Sequence, residues 1–378
     1  MNENSKYAKP LDLSIKTPYL LINLDKICES YNKISKFFED IEIFYAIKAN
    51  PNPKIMKTVL DCGSGFEISS AFEMFKALEA GEKPERILFS NPIKTFDDIK
   101  AAFDAGVQYF AFDSISEIDK LAEAAPNAKV YVRLSIPVRK STVASEGKFG
   151  VSIEQALDLM VYAKSKGLVP YGVSFHVGSQ MLDNDSWGYG IQHSAKLFNM
   201  LKKKGIKLEF LDIGGGFPVC YQDVQRDNLD KISKIILKSV KKYLPKGTRV
   251  VAEPGRYIVA ESGTMVSSVI GTAERFGKKW LHLDVGANNG MMEAVQTSNA
   301  LLFPVGDSCR SSEKEIFTLT GPTCDSQDTI LFDVPVSSNI QIGDIIYFEF
   351  AGSYTTAMTE NFNGFPDPET LIVDNRKG

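Results

Sequence analysis

A single lysine closes an apolar run. The stretch Ile41 to Ile47 is rich in β-branched and aromatic residues and reads as a buried strand, and Lys48 follows it directly. An unpaired ammonium in such a place is costly. Lys48 is therefore neutral, paired or used covalently, and an imine with an aldehyde would meet that need. A lysine snorkelling at a strand exit explains the stretch equally well on its own. Later in the chain, Gly214-Gly215-Gly216 ends one apolar run and Glu253-Pro254-Gly255-Arg256 ends the next. Consecutive glycines let backbone amides converge on an anion with no side chain in the way. Three glycines alone read as a flexible turn. With Arg256 beside them and Ser179 as a hydroxyl donor, a phosphate is the better reading.

These residues need elements that bring them together. Strand patterns occur at Ile41–Ile47, Phe66–Ser69, Ile87–Ser90, Gln108–Phe112, Val130–Leu134, Gly172–His176, Leu208–Ile213 and Arg249–Ala252. Helical spacing of apolar residues predicts a helix over Asp25–Phe38. It predicts others at Pro53–Leu60, Ala71–Ala80, Thr95–Ala105, Ser116–Ala124, Ile153–Lys166, Ile191–Lys204 and Asp227–Tyr243. Eight strands alternating with helices predict parallel pairing, and eight is the number that closes a (β/α)₈ TIM-like barrel. A doubly wound open sheet is the alternative. From about Glu261 the pattern changes to short β-prone runs at Thr264–Thr272, Trp280–Val285, Glu315–Thr320 and Ile345–Glu349. The expected division is a barrel over 23–260 and a C-terminal β-rich domain over 261–378, which the strand in residues 1–22 joins.

Composition narrows the function classes. The 378 residues are 44% hydrophobic and 24% charged, as in an ordinary globular protein. The net charge of -4, without a basic tract, argues against nucleic acid. The start, Met1 to Leu13, is polar and lacks the apolar core of a signal peptide, and no apolar run reaches membrane-spanning length. Five cysteines without metal-ligand spacing suggest reduced thiols in a cytoplasmic protein, and three dispersed histidines argue against a metal site.

Barrel enzymes carry their chemistry at the carboxyl ends of the strands. Here those ends bear Lys48, Glu67, Asn91, Asp113, Arg133, His176, the glycine run and Glu253. A Schiff-base lysine, a phosphate cradle and an acid for a pyridine nitrogen are the parts that pyridoxal 5'-phosphate (PLP) requires. His176 suits stacking on the ring, although a hydrogen-bonded core histidine is the commoner case.

At this point the chain resembles the barrel-type, alanine racemase-like (fold III) PLP decarboxylases, which include ornithine, lysine, arginine and diaminopimelate decarboxylases. The matching stretches are Tyr45-Ala46-Ile47-Lys48-Ala49-Asn50, Ser174-Phe175-His176-Val177-Gly178-Ser179, Leu211-Asp212-Ile213-Gly214-Gly215-Gly216-Phe217 and Glu253-Pro254-Gly255-Arg256-Tyr257. Gly321-Pro322-Thr323-Cys324-Asp325, Gly352-Ser353-Tyr354-Thr355 and Phe362-Asn363-Gly364-Phe365 complete the set. The resemblance implies that Lys48 forms the Schiff base, Glu253 pairs with the pyridine nitrogen and His176 stacks on the ring. It places Ser179, Gly214, Gly215, Gly216, Arg256 and Tyr354 around the phosphate. Glu67 and Arg133 support the cofactor from behind these contacts; family members often carry an aspartate where Glu67 stands. Cys324, as the proton donor to Cα, and Asp325, as a substrate contact, are implied to reach the active site of a partner subunit in a homodimer, and Phe362 is implied as a further substrate contact.

The residue after the cysteine discriminates substrates. Asp325 matches the ornithine and lysine branch, where an aspartate binds the distal ammonium, whereas the diaminopimelate branch carries a glutamate there. The resemblance therefore implies decarboxylation of L-ornithine to putrescine in polyamine biosynthesis, with lysine second and diaminopimelate third. One departure concerns the acid that ornithine decarboxylases carry in a Tyr-Asp segment. The corresponding region reads Asn288-Asn289-Gly290-Met291-Met292-Glu293-Ala294, with Glu293 as the substitute. Rivals from other classes are an amino-acid racemase and an inactive regulatory homologue. Retention of Lys48, His176, Glu253 and Cys324 together argues against the inactive homologue.

Overall fold

The computed structural model describes residues 15–136, 141–143, 147–221 and 228–375. The polar start from Met1 to Leu13, the expected helix residue Asp227 and the last three residues lie outside the described residues.

The chain opens with β1 (Tyr19–Asn23) and α1 (Leu24–Phe37). Strands and helices then alternate as β2 (Glu42–Ala46), α2 (Pro53–Asp61), β3 (Gly65–Ile68), α3 (Ala71–Glu79), β4 (Ile87–Phe89), α4 (Phe96–Asp104), β5 (Tyr109–Phe112) and α5 (Ile115–Ala124). Next come β6 (Lys129–Leu134), β7 (Ser141–Val143), α6 (Ile153–Ser165), β8 (Val169–Phe175), β9 (Ser179–Met181) and α7 (Ser186–Lys203). The alternation ends with β10 (Phe210–Asp212), α8 (Leu229–Tyr243), β11 (Arg249–Ala252) and α9 (Arg256–Val259).

Eight of these strands close a parallel barrel in the order β10-β11-β2-β3-β4-β5-β6-β8, which settles the choice against an open sheet. β7 and β9 pair separately, as a short antiparallel ribbon. Inward positions alternate along each strand. Phe44, Leu88, Tyr109, Tyr131, Phe210 and Val251 form a packed interior rather than a pore. Arg249 closes its amino-terminal end. The guanidinium lies 5.3 Å from the Tyr109 ring centroid and holds Glu42 with two bonds of 2.7 and 2.9 Å. Around the barrel, Ser70, Thr95, Ser114 and Ser152 each cap a helix by accepting an amide from its first turn. Each cap is worth about 1 kcal/mol. Together they fix the helix starts at the end of the barrel where the strands finish.

The second sheet has eight strands. β12 (Gly263–Arg275), β13 (Lys278–Leu283), β14 (Val305–Asp307), β15 (Lys314–Thr320), β16 (Thr329–Ser337) and β17 (Ile345–Glu349) run in the order β14-β17-β12-β13-β15-β16. The other two are β1, which pairs with β12, and β18 (Glu369–Val373), which pairs with β1. A short helix, α10 (Met292–Gln296), follows β13.

The strand patterns missed β7, β9, β14, β16 and β18. β16 contains Pro335 and an Asp333 at φ 53°, which interrupt a regular strand signal. The expected start of α7 at Ile191 is five residues late. Gly188 and Gly190 blur the helical pattern there, and a Cβ on Gly190 would collide with the Phe175 ring, so packing explains that glycine.

Candidate active site

Lys48 lies in a 3₁₀ turn, Ile47–Ala49, at the end of β2. Three bonds fix this turn. Tyr45 Oη donates to the Asn50 carbonyl at 3.0 Å, Asn50 Nδ2 donates to the Gly352 carbonyl at 2.9 Å, and the Tyr354 amide donates to the Ala49 carbonyl at 2.8 Å. The last two tie the lysine turn to the β-rich sheet region. The Lys48 side chain reaches into a cavity of about 710 Å³, where it keeps 42% exposure. Its Nζ donates to Glu67 Oε2 at 2.5 Å, and the Glu67 side chain is buried. Burial works against the ammonium, but Glu67, Tyr354 and Glu253 outweigh it, so Lys48 stays protonated above the usual lysine range.

Glu253 follows β11 and is buried. Ser90 donates to Glu253 Oε1, and the Ser90 hydroxyl also bonds Tyr131 Oη at 2.7 Å. Asp212, at the end of β10, is hydrogen-bonded to Glu253 and accepts the Gly214 amide at 2.8 Å. Burial raises both carboxyls; the Glu253 charge and hydrogen bond raise Asp212 further, whereas Glu67 raises Glu253 and the hydrogen bond with Asp212 lowers it. Asp212 is raised well above the usual range, so it holds the shared proton and leaves Glu253 as the carboxylate. Sequence reasoning gave Asp212, Ser90 and Tyr131 no role. The available signal was the alternation of inward positions: Ser90 and Asp212 lie two residues beyond the interior residues Leu88 and Phe210.

His176 Nδ1 accepts the Gly178 amide at 2.8 Å. Burial, Arg133 and Lys48 push its pKa down to about 3, so the ring is neutral at ordinary pH. Arg133 lines the same cavity with its guanidinium 5.3 Å from the Phe149 ring centroid. Glu73 adds another acid nearby. Its carboxylate accepts the Ser69 amide at 2.6 Å, and burial, then Glu67, raises it to about 7.

The glycine run is packed as tightly as its chemistry requires. Gly214 and Gly216 have φ of 65° and 90°, which favour glycine. A Cβ on Gly215 would lie 2.5 Å from the Glu253 carbonyl. The amides of Gly215 and Gly216 have no partner among the described residues. They line a small recess with Ser179, Arg256 and Tyr354, and Lys48, His176 and Glu253 border both this recess and the main cavity.

Arg256 is buried and fully engaged. It donates to Ser179 Oγ at 3.3 and 3.1 Å, to Tyr221 Oη at 3.0 Å and to Glu293 Oε2 at 2.8 Å, with a second short bond to Glu293 Oε1. Burial disfavours its charge, but Tyr221 and Glu293 outweigh that effect and hold it above the usual range.

Cys324, Asp325 and Phe362 are placed elsewhere. None lines the main cavity of this chain, and all three are exposed. The structure does join two of their segments: Asn363 Oδ1 accepts both the Cys324 amide at 3.2 Å and its Sγ–H at 3.3 Å. Asp328 braces this loop, accepting the Thr323 amide at 3.0 Å and its hydroxyl at 2.6 Å.

The family described as pyridoxal-dependent decarboxylase, pyridoxal binding domain, matches residues 24–260. The chain belongs to the pyridoxal-dependent decarboxylases. It is a PLP-dependent carboxy-lyase. The lysine/ornithine decarboxylase of Selenomonas ruminantium is 36% identical to it over 99% of this chain and 94% of its own length. The solved structure of SrLDC in complex with PLP and cadaverine matches with a TM-score of 0.88 at 35% identity, covering 98% of this chain and 94% of that one. The lysine/ornithine decarboxylase of Vibrio vulnificus, solved with putrescine, matches with a TM-score of 0.87 at 31% identity over 95% of each chain. Among the described residues no acid, histidine and cysteine cluster suits a metal, and no helix is long and apolar enough to cross a membrane.

The residues of the decarboxylase fit PLP on their own terms. Two unpartnered amides beside a hydroxyl and a guanidinium suit a phosphate dianion. The buried Glu253 carboxylate, which borders both the recess and the main cavity, suits a cationic ring nitrogen, and the Lys48 amine borders the same two spaces.

Proposed function

We propose that this decarboxylase converts L-ornithine to putrescine, with L-lysine as its second substrate. The observation that carries the reading is the chemistry of the cavity wall. From the β-rich region it receives Glu293, Gln296, Tyr354 and Met358. Glu293 is held by Arg256 through both oxygens, and Gln296 and Tyr354 carry no positive charge, so that wall offers nothing to a second carboxylate, which disfavours diaminopimelate. Asp325, beside Cys324, adds an acid of the right sign for a distal ammonium if a neighbouring copy supplies it. The relatives solved with cadaverine and putrescine are consistent with a four- or five-carbon chain.

When bound, PLP supplies the aldehyde that captures the substrate amine and the electron-poor ring that accepts the electrons left by departing carbon dioxide. The residues of the chain do the rest. Glu67 takes the proton that Lys48 must lose before its nitrogen can act as a nucleophile. Glu253, kept ionised by the proton on Asp212 and by the Ser90 bond, holds positive charge on the ring nitrogen. Neutral His176 offers a flat face without adding a competing charge. Gly215, Gly216, Ser179 and Tyr354 would anchor the phosphate, Arg256, engaged by Ser179, Tyr221 and Glu293, would supply positive charge beside it, and Arg133 lines the main cavity near Phe149. Cys324 delivers the proton to Cα.

For that delivery two copies must pair, each lending Cys324, Asp325 and Phe362 to the other. Their exposure outside their own cavity supports this homodimer. So do the exposed side chains Phe72, Phe75, Ile93 and Ile115, which lie near the starts of α3, α4 and α5, the end of the barrel that carries the cavity. The test measures carbon dioxide release from L-ornithine, L-lysine, L-arginine and meso-diaminopimelate. The reading expects the largest kcat/KM for ornithine and the next largest for lysine. A preference for diaminopimelate or arginine would overturn it.

A further inference from the structure

Two of the five cysteines, distant in sequence, meet on the outside of the barrel. Cys28 lies in α1 and Cys62 caps the end of α2, and their Sγ atoms are 3.1 Å apart. Each is half-buried. The helices hold them there. Ile27, Tyr31 and Ile34 anchor α1 through its buried face, and Ile55, Met56 and Val59 anchor α2. The Cys62 amide bonds the Thr58 and Leu60 carbonyls. A cleft of about 350 Å³ is lined by Gly63, the residue after Cys62, and by Tyr31, one turn after Cys28 on α1. The sulfurs need to close by only about another 1 Å to reach the ~2.05 Å of a disulfide.

We propose that Cys28 and Cys62 form a reversible disulfide when the enzyme meets a peroxide, making this pair a redox modification site separate from the catalytic cavity. The proposal does not depend on which amino acid the enzyme decarboxylates. One thiol ionises, its thiolate attacks a peroxide oxygen, the O–O bond breaks, the sulfur becomes a sulfenic acid and the departing hydroxide takes up the released proton as water. The second thiol ionises, its thiolate attacks that sulfur, the S–O bond breaks, the S–S bond forms and the second hydroxide leaves as water with the second proton. The peroxide accepts two electrons and the two thiols supply them. A dithiol reverses the step by exchange. The product staples α1 to the far end of α2, roughly 13 Å along that helix from its start.

The test treats the reduced holoenzyme with a small excess of hydrogen peroxide, blocks remaining thiols with N-ethylmaleimide and digests with trypsin. The expected product is Ile27–Lys33 disulfide-linked to Thr58–Lys76, with thiol content falling from five to three per chain and returning with dithiothreitol. In Cys28→Ser the linked peptide is absent and Cys62 is instead trapped as a dimedone adduct. The idea is overturned if exposed Cys324 is consumed while Cys28 and Cys62 are both recovered fully alkylated. It is overturned equally if neither Cys62 in Cys28→Ser nor Cys28 in Cys62→Ser gives a dimedone adduct at a peroxide dose that links the wild-type pair.

Discussion

The proposed mechanism puts the chemistry of this decarboxylase in two parts of the molecule, and they are in opposite states. In the barrel, Lys48, Glu67, Ser90, Asp212 and Glu253 are joined by direct bonds, and only the lysine is appreciably exposed. In the β-rich region, Cys324, Asp325 and Phe362 stand in solvent on a loop braced by Asp328 and Asn363. The barrel half is built in advance, as a site that must hold buried charge has to be. The loop half is shaped but, among the described residues, does not line the main cavity of its own chain. Substitutions in the first should therefore disturb cofactor and catalysis together. Substitutions in the second should leave the cofactor untouched.

Lys48→Ala gives the largest effect. Its turnover should fall by roughly 10⁴-fold, the upper range for a lost proton-transferring group, and the absorbance of lysine-bound cofactor should vanish. Survival of that band would break the barrel half of the comparison. Glu253→Gln should keep the cofactor and slow turnover by roughly 10²–10³-fold, as removal of one stabilising group does in other sites. An unchanged rate would remove Glu253 from the mechanism. Cys324→Ala should lower amine formation by roughly 10²-fold, while cofactor affinity and absorbance stay at wild-type values. A changed cofactor spectrum in this variant would mean that the loop and the barrel are not separate parts.

The smallest effect concerns His176. Its folded pKa of about 3 lies below the ordinary 6.5, so the folded state binds fewer protons between those values. The stability it contributes is complete above pH 6.5 and is lost as pH falls toward 3. In enzyme stripped of cofactor, denaturation midpoints should drop less steeply over that range in His176→Gln than in wild type. Identical slopes would show that the ring is not held neutral.

Much of the barrel was legible because each strand is a short apolar run followed by a capped helix, and this alternation survives packing. The polar strand ends were legible for the same reason: Lys48 and Glu253 stand out after runs such as Phe44 to Ile47 and Val250 to Ala252. Ser90 and Asp212 were not. Short polar residues at strand ends usually signal turns, and only closure of the barrel turns them toward Glu253. The engagement of Arg256 by Glu293 was also hidden, since α10 reaches the barrel through contacts 37 residues apart. The same holds for Cys28 and Cys62, which only the packing of α1 on α2 brings together.

The claim that two copies share each site has a direct test. Lys48→Ala and Cys324→Ala enzymes are each nearly inactive, and mixing them allows subunits to exchange. In a heterodimer with shared sites, one site carries both defects and the other carries neither. Random association makes about half of the dimers heterodimers, so activity should rise to roughly one quarter of wild type. With native mass spectrometry confirming exchange, activity that stays at the level of the separate mutants would contradict the account.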